Sequence, residues 1–268
     1  MPTMKRYAIS VQYIGKNYSG SQIQFENGKE IETPTIQGEL EKALRTLIRS
    51  SRCEAEMQNT DSHNNRQIRA IFSGRTDKGV NSLGQVVHFD TDETIVASKF
   101  LYQMNEILPD DISVSDLREV DESFHAQKSA KKRHYRFEFI NRRCKNAFDG
   151  DLMRVKYPTD EVRMQKSLDY LLGEHDFSSF KSSGTLNPSK ICIIYEAKVS
   201  KAGDKVIIDI VGNRFLYNMV RTIVGTLLEI EGHNLPPEHM KEVLEAKDRR
   251  KAGMTVSPYG LTLMKVMY

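Results

Sequence analysis

The order in which strand-like and helix-like segments follow one another is the strongest constraint on the fold of this chain. Apolar residues recur at every second position in some segments and at helical spacing in others. The predicted strands are residues 7–13, 68–72, 86–89, 134–140, 191–200, 205–211 and 261–267, and the predicted helices are residues 36–48, 97–108, 160–172, 213–230 and 236–247. They lack the regular strand–helix rhythm of a parallel sheet. We therefore predict an α+β fold with a mainly antiparallel sheet and helices packed on it.

The length and one polar turn predict two halves. The 268 residues suffice for one large domain or two smaller ones, at about 150 residues per domain. A polar turn at residues 109–111 follows a predicted helix and is the best boundary. We predict an N-terminal half over residues 1–112 and a C-terminal half over residues 113–268. Within the first half, the pair Asn27-Gly28 predicts a β-hairpin turn.

The composition is typical of a globular protein of the cytoplasm. Hydrophobic residues make up 39% and charged residues 28% of the chain, close to the average for globular proteins. No run approaches the roughly 18 apolar residues that span a bilayer, and no apolar signal-peptide core follows the N-terminus. Cys53, Cys144 and Cys192 form no CxxC pair, and the seven histidines form no HxH or HExxH motif. We expect a cytoplasmic protein without a disulfide framework, a metal site or membrane contact.

A basic segment between residues 128 and 145 indicates the kind of partner. It carries eight lysines and arginines against one acid, Glu138. Ring side chains stand among them at His134, Tyr135, Phe137 and Phe139. Cations contact phosphates and rings stack on bases, so this composition suits a nucleic acid. A solvated strand with a charged outer face gives the same pattern, and the charges do not decide between the two.

A glycine-bounded segment, residues 74–79, follows a predicted strand. It is not a phosphate-binding P-loop, because Val80 and Asn81 stand where that motif needs lysine and serine or threonine. We therefore expect no nucleotide cofactor. The glycines favour a sharp turn with positive φ that projects Asp77, whose carboxylate stays ionised between cationic neighbours and can act as a nucleophile. The alternative is a turn aspartate that bonds only its own backbone.

An ordered series of motifs extends across nearly the whole chain. The motifs are residues 13–15 with 18–20, 35–44, 73–80, 84–89, 124–126, 133–137, 172–177, 218–221 with 223–225, and 258–261. In content and order they resemble the tRNA pseudouridine synthase A family. The resemblance implies an isomerase that converts uridine to pseudouridine at positions 38, 39 and 40 of the tRNA anticodon stem-loop, without cofactor or metal. It also implies two similar halves that share the sheet, an active-site cleft between them, and a homodimer.

The resemblance assigns roles to four residues. Asp77 matches the catalytic aspartate, the nucleophile, and Tyr135 matches the tyrosine that stacks on the target base and takes part in proton transfer from C5. Arg221 matches the arginine that pairs with the carboxylate, and Arg75 the arginine that helps to displace the base. Physical chemistry supports these roles. Extruding a base costs a few kcal/mol, which an intruding cation and an aromatic ring can offset. A buried carboxylate needs a cationic partner to stay charged. Independently of the family, an arginine on the apolar helix around Arg221 is rarely buried without a partner.

The basic segment gains a role from the same resemblance. In the implied homodimer one tRNA contacts both subunits. Lys131, Lys132 and Arg133 are then expected to bind tRNA as part of a composite RNA surface.

Four departures from the family pattern leave the RNA target open. Ser21 stands where the family usually has tryptophan, Asn81 stands where it has histidine, and polar insertions occupy residues 26–34 and 54–67. All four are expected in loops that face RNA, so they affect the choice of substrate rather than the chemistry. Two alternatives therefore stay open: a pseudouridine synthase for another RNA, and a non-catalytic tRNA-binding paralogue.

Overall fold

The computed structural model describes residues 4–26, 29–30, 33–53, 68–182 and 189–268. The chain forms two compact units, residues 1–130 and 131–268. The predicted turn at Asn27-Gly28 and the polar insertion at residues 54–67 lie outside the described residues. Within the described ranges, no helix combines the length and the apolar character needed to cross a bilayer.

The first unit is built around a central strand. Its elements are β1 (Lys5–Tyr13), β2 (Phe25–Glu26), β3 (Lys29–Glu30), α1 (Ile36–Cys53), β4 (Ile71–Phe72), β5 (Asn81–Thr91), α2 (Ala97–Ile107) and β6 (Ile112–Val120). β1 pairs antiparallel with β5 on one side and β6 on the other, and β4 pairs antiparallel with β5. The alternating residues of β1 are buried and share one core cluster with Leu40 and Leu44 of α1. The predicted period of two therefore sets which side chains of β1 meet the helix.

β6 begins where the boundary between the halves was predicted, yet it belongs to the first unit. The sequence pattern did not predict this strand. Asp116 adopts a positive φ of 53°, and the register with β1 shifts between Ala8 and Ser10. The buried positions of β6 therefore lose a strict period of two. Because β6 pairs with β1, the first unit continues past residue 112 to residue 130.

The second unit carries a larger antiparallel sheet. Its elements are β7 (Lys132–Asn141), β8 (Arg154–Val155), α3 (Glu161–Asp169), β9 (Gly173–Asp176), β10 (Ile191–Ala202), β11 (Lys205–Gly212), α4 (Met219–Gly232), α5 (His239–Ala246) and β12 (Leu261–Met267). The strand order is β12, β7, β11, β10, β9, with every neighbouring pair antiparallel, and β8 pairs parallel with β7. The predicted α+β class with mainly antiparallel pairing is confirmed.

α4 begins later than the apolar pattern predicts. The pattern starts at residue 213, but Asn218 adopts a left-handed conformation with φ of 62° and caps the helix at Met219. Asparagine tolerates this conformation better than most residues do. Because the helix begins only after Asn218, Arg221 lies in the first turn of α4.

Candidate active site

Asp77 lies on the loop that joins β4 to β5, here called the Asp77 loop (residues 73–80). Asp77 itself is half-buried, Arg75 is exposed, and Thr76 between them is buried. The three consecutive residues therefore have different surroundings. The buried threonine anchors the loop, Arg75 is open to solvent, and Asp77 is partly accessible.

The chain turns sharply after Asp77. The N–H of Val80 donates to the Asp77 carbonyl at 3.1 Å. Gly79 adopts a φ of 80°, as the sequence predicts, whereas Gly74 does not have a positive φ. The turn therefore depends on the second glycine of the motif.

Thr76 is held from several directions. Its N–H donates to Ser21 Oγ at 2.9 Å, and its carbonyl accepts from the Ser21 N–H at 3.1 Å. Its hydroxyl lies 2.7 Å from the Tyr13 hydroxyl. Ser21 is fully buried, so its own side chain is not available to contact RNA. It fixes the backbone next to Asp77 instead.

The chain just after β1 approaches the Asp77 loop so closely that two positions require glycine. Gly20 has a φ of 116°, and a Cβ there would lie 2.9 Å from the Thr76 carbonyl oxygen. A Cβ at Gly15 would lie 2.1 Å from the Val80 carbonyl oxygen, which no side chain can tolerate. The N–H of Gly15 also donates to Asn81 Oδ1 at 2.9 Å. Asn81, a second departure from the family pattern, therefore braces the same loop.

A buried polar network completes this support, and sequence analysis missed it. Gln85 on β5 is fully buried; its Nε2 donates to the Gly74 carbonyl at 2.8 Å, and its Oε1 accepts from the Ser73 hydroxyl. Tyr13 joins through a 3.4 Å contact between its hydroxyl and Gln85 Nε2. Burial raises the pKa of Tyr13 and keeps the phenol neutral, even though hydrogen bonds from Thr76 and Gln85 oppose the shift. Gln85 directly before the apolar run Val86-Val87 was the available signal.

Tyr135 lies on β7 of the second unit. It is 8% exposed and sits between Ile210 of β11 and Leu263 of β12 in the register. Its ring meets Phe215 edge to face, with centroids 5.1 Å apart and planes at 81°. This geometry fixes the plane of the tyrosine ring while leaving part of it accessible.

Arg221 is half-buried in the first turn of α4. Its Nε donates to the Val256 carbonyl at 2.8 Å, and its Nη1 donates to Asn218 Oδ1 at 2.7 Å. Asn218 is fixed in turn, because its Nδ2 donates to Ser182 Oγ at 3.0 Å. The acceptors in these two bonds are a backbone carbonyl and a side-chain amide, and the bonds orient the guanidinium.

The three predicted RNA-binding cations do not form one patch. Successive side chains of a strand point to opposite faces. Arg133 shares the face of Tyr135, where it donates to the Asn213 carbonyl at 2.7 Å and burial lowers its pKa. Lys132 lies on the other face, with its Nζ 4.4 Å from the centroid of the Tyr195 ring. Only Lys131, just before the strand, is largely exposed.

Two aromatic side chains of the basic segment that were expected to be able to stack on bases are buried. Phe137 and Phe139 are fully buried, so they pack the core and are not available to stack on bases. On the opposite face, Asp209 accepts from Arg136 at 2.9 Å and lies 2.6 Å from His134 Nε2. Burial alone would raise the pKa of Asp209, but the bonds from Arg136 and His134 outweigh it and lower that pKa. The charge of Arg136 is therefore paired within the protein.

The site residues thus fall into two groups. Arg75 and Asp77 share one loop of the first unit. Tyr135 and Arg133 share one strand face of the second unit, and Arg221 lies on α4 of that unit. Among the described residues, no three His, Cys, Asp or Glu side chains group closely enough to hold a metal ion.

A family model and several known proteins that are similar to this chain share one description. A family model described as tRNA pseudouridine synthase matches residues 168–268. A tRNA pseudouridine synthase A from Anoxybacillus flavithermus is 40% identical over 267 residues, covering 99% of each chain. Enzymes of the same name from Brevibacillus brevis and Thermoanaerobacter pseudethanolicus are 38% and 37% identical, and each alignment covers 99% of this chain and 100% of the relative. The similarity therefore includes both units and the Asp77 loop.

Proposed function

This chain belongs to the tRNA pseudouridine synthase A family of isomerases, and we propose that it converts uridine to pseudouridine at positions 38, 39 and 40 in the anticodon stem-loop of tRNA. The geometry of the Asp77 loop is the observation that carries the proposal. Buried hydrogen bonds hold Thr76, directly before Asp77, while Asp77 is half-buried and Arg75 is exposed. A carboxylate fixed at the margin of solvent can act on a nucleotide that enters from outside.

Asp77 is the proposed catalytic residue. Its carboxylate promotes cleavage of the C1′–N1 bond of the target uridine, by direct attack or by assisting elimination. The detached uracil turns, and its C5 forms a bond to C1′. C5 loses one proton and N1 gains one, so the product is an isomer of the substrate and no co-reactant is consumed.

Tyr135 is the proposed platform for the target base. The edge-to-face contact with Phe215 fixes its ring plane, and stacking on a fixed ring offsets part of the free energy of extruding the base. Its hydroxyl is the group proposed to take part in removing the C5 proton. A phenylalanine at this position would keep the stacking and lose the proton transfer.

The two arginines have different proposed tasks. Arg221, whose guanidinium is oriented by two neutral acceptors, is the cation proposed to pair with the Asp77 carboxylate and keep it ionised. Arg75 is exposed and is proposed to occupy the space that the extruded base leaves in the RNA. Of the basic strand, Lys131 is the exposed candidate for a phosphate contact.

The test uses purified protein and unmodified tRNA transcripts with uridines at positions 38, 39 and 40, followed by site-resolved mapping of pseudouridine. Asp77→Asn should abolish product and retain tRNA binding, because the shape of the loop survives and the ionised carboxylate does not. Asp110→Asn, at an exposed turn of the same unit, is the matched control and should retain full activity.

The outcomes separate the alternatives. Product at these positions that disappears only in Asp77→Asn supports the proposal. Product at other positions, or only in another RNA, assigns a different target. Tight tRNA binding without product in any RNA indicates a non-catalytic paralogue, and substantial product from Asp77→Asn removes Asp77 from the catalytic role.

We also propose a cytoplasmic homodimer, as the family resemblance implies. Sedimentation of the purified protein at micromolar concentration tests the assembly, and a single species with the mass of one chain would contradict it. Lys131→Ala should lower tRNA affinity and reduce the salt slope of binding by about one, the value for one phosphate contact.

A further inference from the structure

Phe148 stands at the outer end of the connection between β7 and β8, here called the tip loop (residues 142–150). Its side chain is 96% exposed, against 76% for Met254, the next most exposed large apolar side chain among the described residues. A single exposed apolar residue is ordinary on a protein surface. The structure around Phe148 is not ordinary, because hydrogen bonds hold the backbone that carries this ring.

Hydrogen bonds within the turn hold the Phe148 backbone. Asn146 Oδ1 accepts from the Phe148 N–H at 3.0 Å, and Asp149 Oδ2 accepts from the Asn146 N–H at 3.0 Å. The two bonds form a reciprocal capping box around a short 3₁₀ turn over Ala147–Asp149. The Phe148 ring therefore projects from an ordered backbone.

Arg142 fastens this turn to the rest of the unit. Its Nη2 donates to the Asp149 carboxylate, its Nη1 donates to Asp204 Oδ2 at 3.0 Å, and its Nε donates to the Cys144 carbonyl at 3.0 Å. One guanidinium thus joins the start of the loop, the end of the turn and the hairpin between β10 and β11. A loop backbone that is already ordered in the free protein loses little entropy on binding.

Cations outnumber acids on the loop itself. Residues 142–150 contain three basic residues and one acid, Asp149. Arg142 pairs with Asp149 and with Asp204 of the neighbouring hairpin, whereas Arg143 and Lys145 are exposed. An exposed ring with adjacent cations matches the chemistry of an unpaired nucleotide, which has an aromatic face and a phosphate.

We infer that Phe148 stacks on an unpaired base of the tRNA substrate, with Arg143 and Lys145 at the neighbouring phosphates. The inference rests on the proposed function, since it takes tRNA as the ligand. It gives the second unit an aromatic contact that the buried rings Phe137 and Phe139 cannot supply. The tip loop thereby acts in binding and positioning of the RNA rather than in the chemical step.

A second copy of this chain fits the tip loop less well. A stable protein interface buries about 800 Å² on each partner around an apolar centre. Here Phe148 is the one large apolar side chain exposed on the tip loop, and exposed cations stand beside it. Stacking on a base requires only the single ring.

The first test uses fluorescence, because the chain contains no tryptophan. Phe148→Trp introduces a single indole, and stacking on a base should quench its emission when unmodified tRNA is added. Heparin, a polyanion without bases, should leave the emission nearly unchanged. Tyr102→Trp, at an exposed position of α2 in the first unit, is the control that tRNA should not quench.

Three results would overturn the inference. They are unchanged emission of Phe148→Trp with bound tRNA, equal quenching by heparin, and emission that changes with protein concentration in the absence of RNA.

The second test measures affinity and turnover. Phe148→Ala should weaken tRNA binding about tenfold and raise KM by a similar factor, with little change in kcat, as expected for the loss of one stacked base. Phe148→Tyr should restore binding, and Val162→Ala, at an exposed apolar position of α3, should have no effect. An affinity for Phe148→Ala within twofold of the original protein contradicts the inference. The proposed function fails differently, by an absence of pseudouridine in reactions of the unaltered protein.

Discussion

The Asp77 loop and the tip loop both join two strands, yet they hold their key side chains in opposite ways. Neutral, buried partners, Ser21, Gln85 and Tyr13, support the Asp77 loop. Partly exposed ion pairs, centred on Arg142, support the tip loop. Neutral buried bonds respond little to salt, which suits a carboxylate that must keep one position. Ionic bonds at the surface suit a ring that is presented to water, but they are screened by salt.

The largest expected effect comes from filling the space beside the Asp77 loop. Gly15→Ala would place a Cβ 2.1 Å from the Val80 carbonyl oxygen, so the loop must shift. A displacement of this kind costs about a hundredfold in turnover. Gly150→Ala in the tip loop meets no heavy atom within 4 Å among the described residues, although its φ of 62° is strained for alanine. It should therefore lower the melting temperature slightly and leave turnover unchanged.

Measurement of kcat and of thermal unfolding for both glycine variants decides this contrast. If Gly15→Ala and Gly150→Ala lose turnover equally, the close approach to Val80 does not position Asp77.

A smaller effect is expected from removing one neutral bond. Ser21→Ala leaves the buried N–H of Thr76 without the Ser21 Oγ acceptor, now at 2.9 Å. An unsatisfied buried donor costs about 1–3 kcal/mol of unfolding free energy. Ser19→Ala, at a half-buried position two residues earlier, should cost less than about 0.5 kcal/mol. Urea unfolding of both variants is the measurement, and equal losses would show that the Ser21 hydroxyl has no special role.

Acid should destabilise the first unit through His88 on β5. Its Nδ1 accepts from the Ala126 N–H at 3.1 Å, and burial, reinforced by Arg6, lowers its pKa from 6.5 to about 4. The unfolded chain takes up this proton more readily than the folded first unit. Stability is therefore fully retained above pH 6.5 and falls as the pH decreases toward about 4.

Melting temperatures across that pH range test this prediction. His88→Gln cannot titrate and should show a flatter dependence. Equal slopes for the two proteins would assign the acid sensitivity to other groups.

The smallest expected effect concerns the ion pair of the tip loop. The hydrogen bond from Arg142 lowers the pKa of Asp149 below its ordinary value of 3.8. The contribution of this pair is present above that value and is lost as the pH falls through the lowered pKa. High salt should weaken the pair as well, because it is partly exposed to solvent. Emission anisotropy of Phe148→Trp should therefore fall with added salt, and Asp149→Asn in the same background should lower it at low salt.

Anisotropy that does not change with salt or with Asp149→Asn would mean that the capping box alone orders the tip loop.

The sequence predicted features that local patterns determine. Alternation over residues 7–13 placed β1, and helical spacing from Ile36 placed α1. β6 was missed because Asp116 interrupts its alternation, and the start of α4 was predicted too early because only the backbone conformation of Asn218 ends the loop. The spacing of apolar residues shows which side chains are buried. It does not show where the backbone leaves the regular strand or helix conformation.

The candidate site shows the same limit. The motif around Asp77 identified the proposed catalytic loop, but Ser21 contacts Thr76 from 55 positions away in the sequence. A single sequence does not show such a contact. The basic segment was interpreted by counting charges, and the alternation of strand faces then separated Lys132 from Arg133. Patterns thus indicated the chemistry and not the surroundings of each side chain.

The bonds between Ser21 and Thr76 have a consequence for how the protein acquires activity. They join segments 55 positions apart, and contacts of large sequence separation form late because loop closure comes first. We therefore expect the Asp77 loop to reach its final shape after local structure such as α1 has formed. During refolding, helical signal should return before turnover does, and enzymatic activity would report the last step of assembly of the first unit.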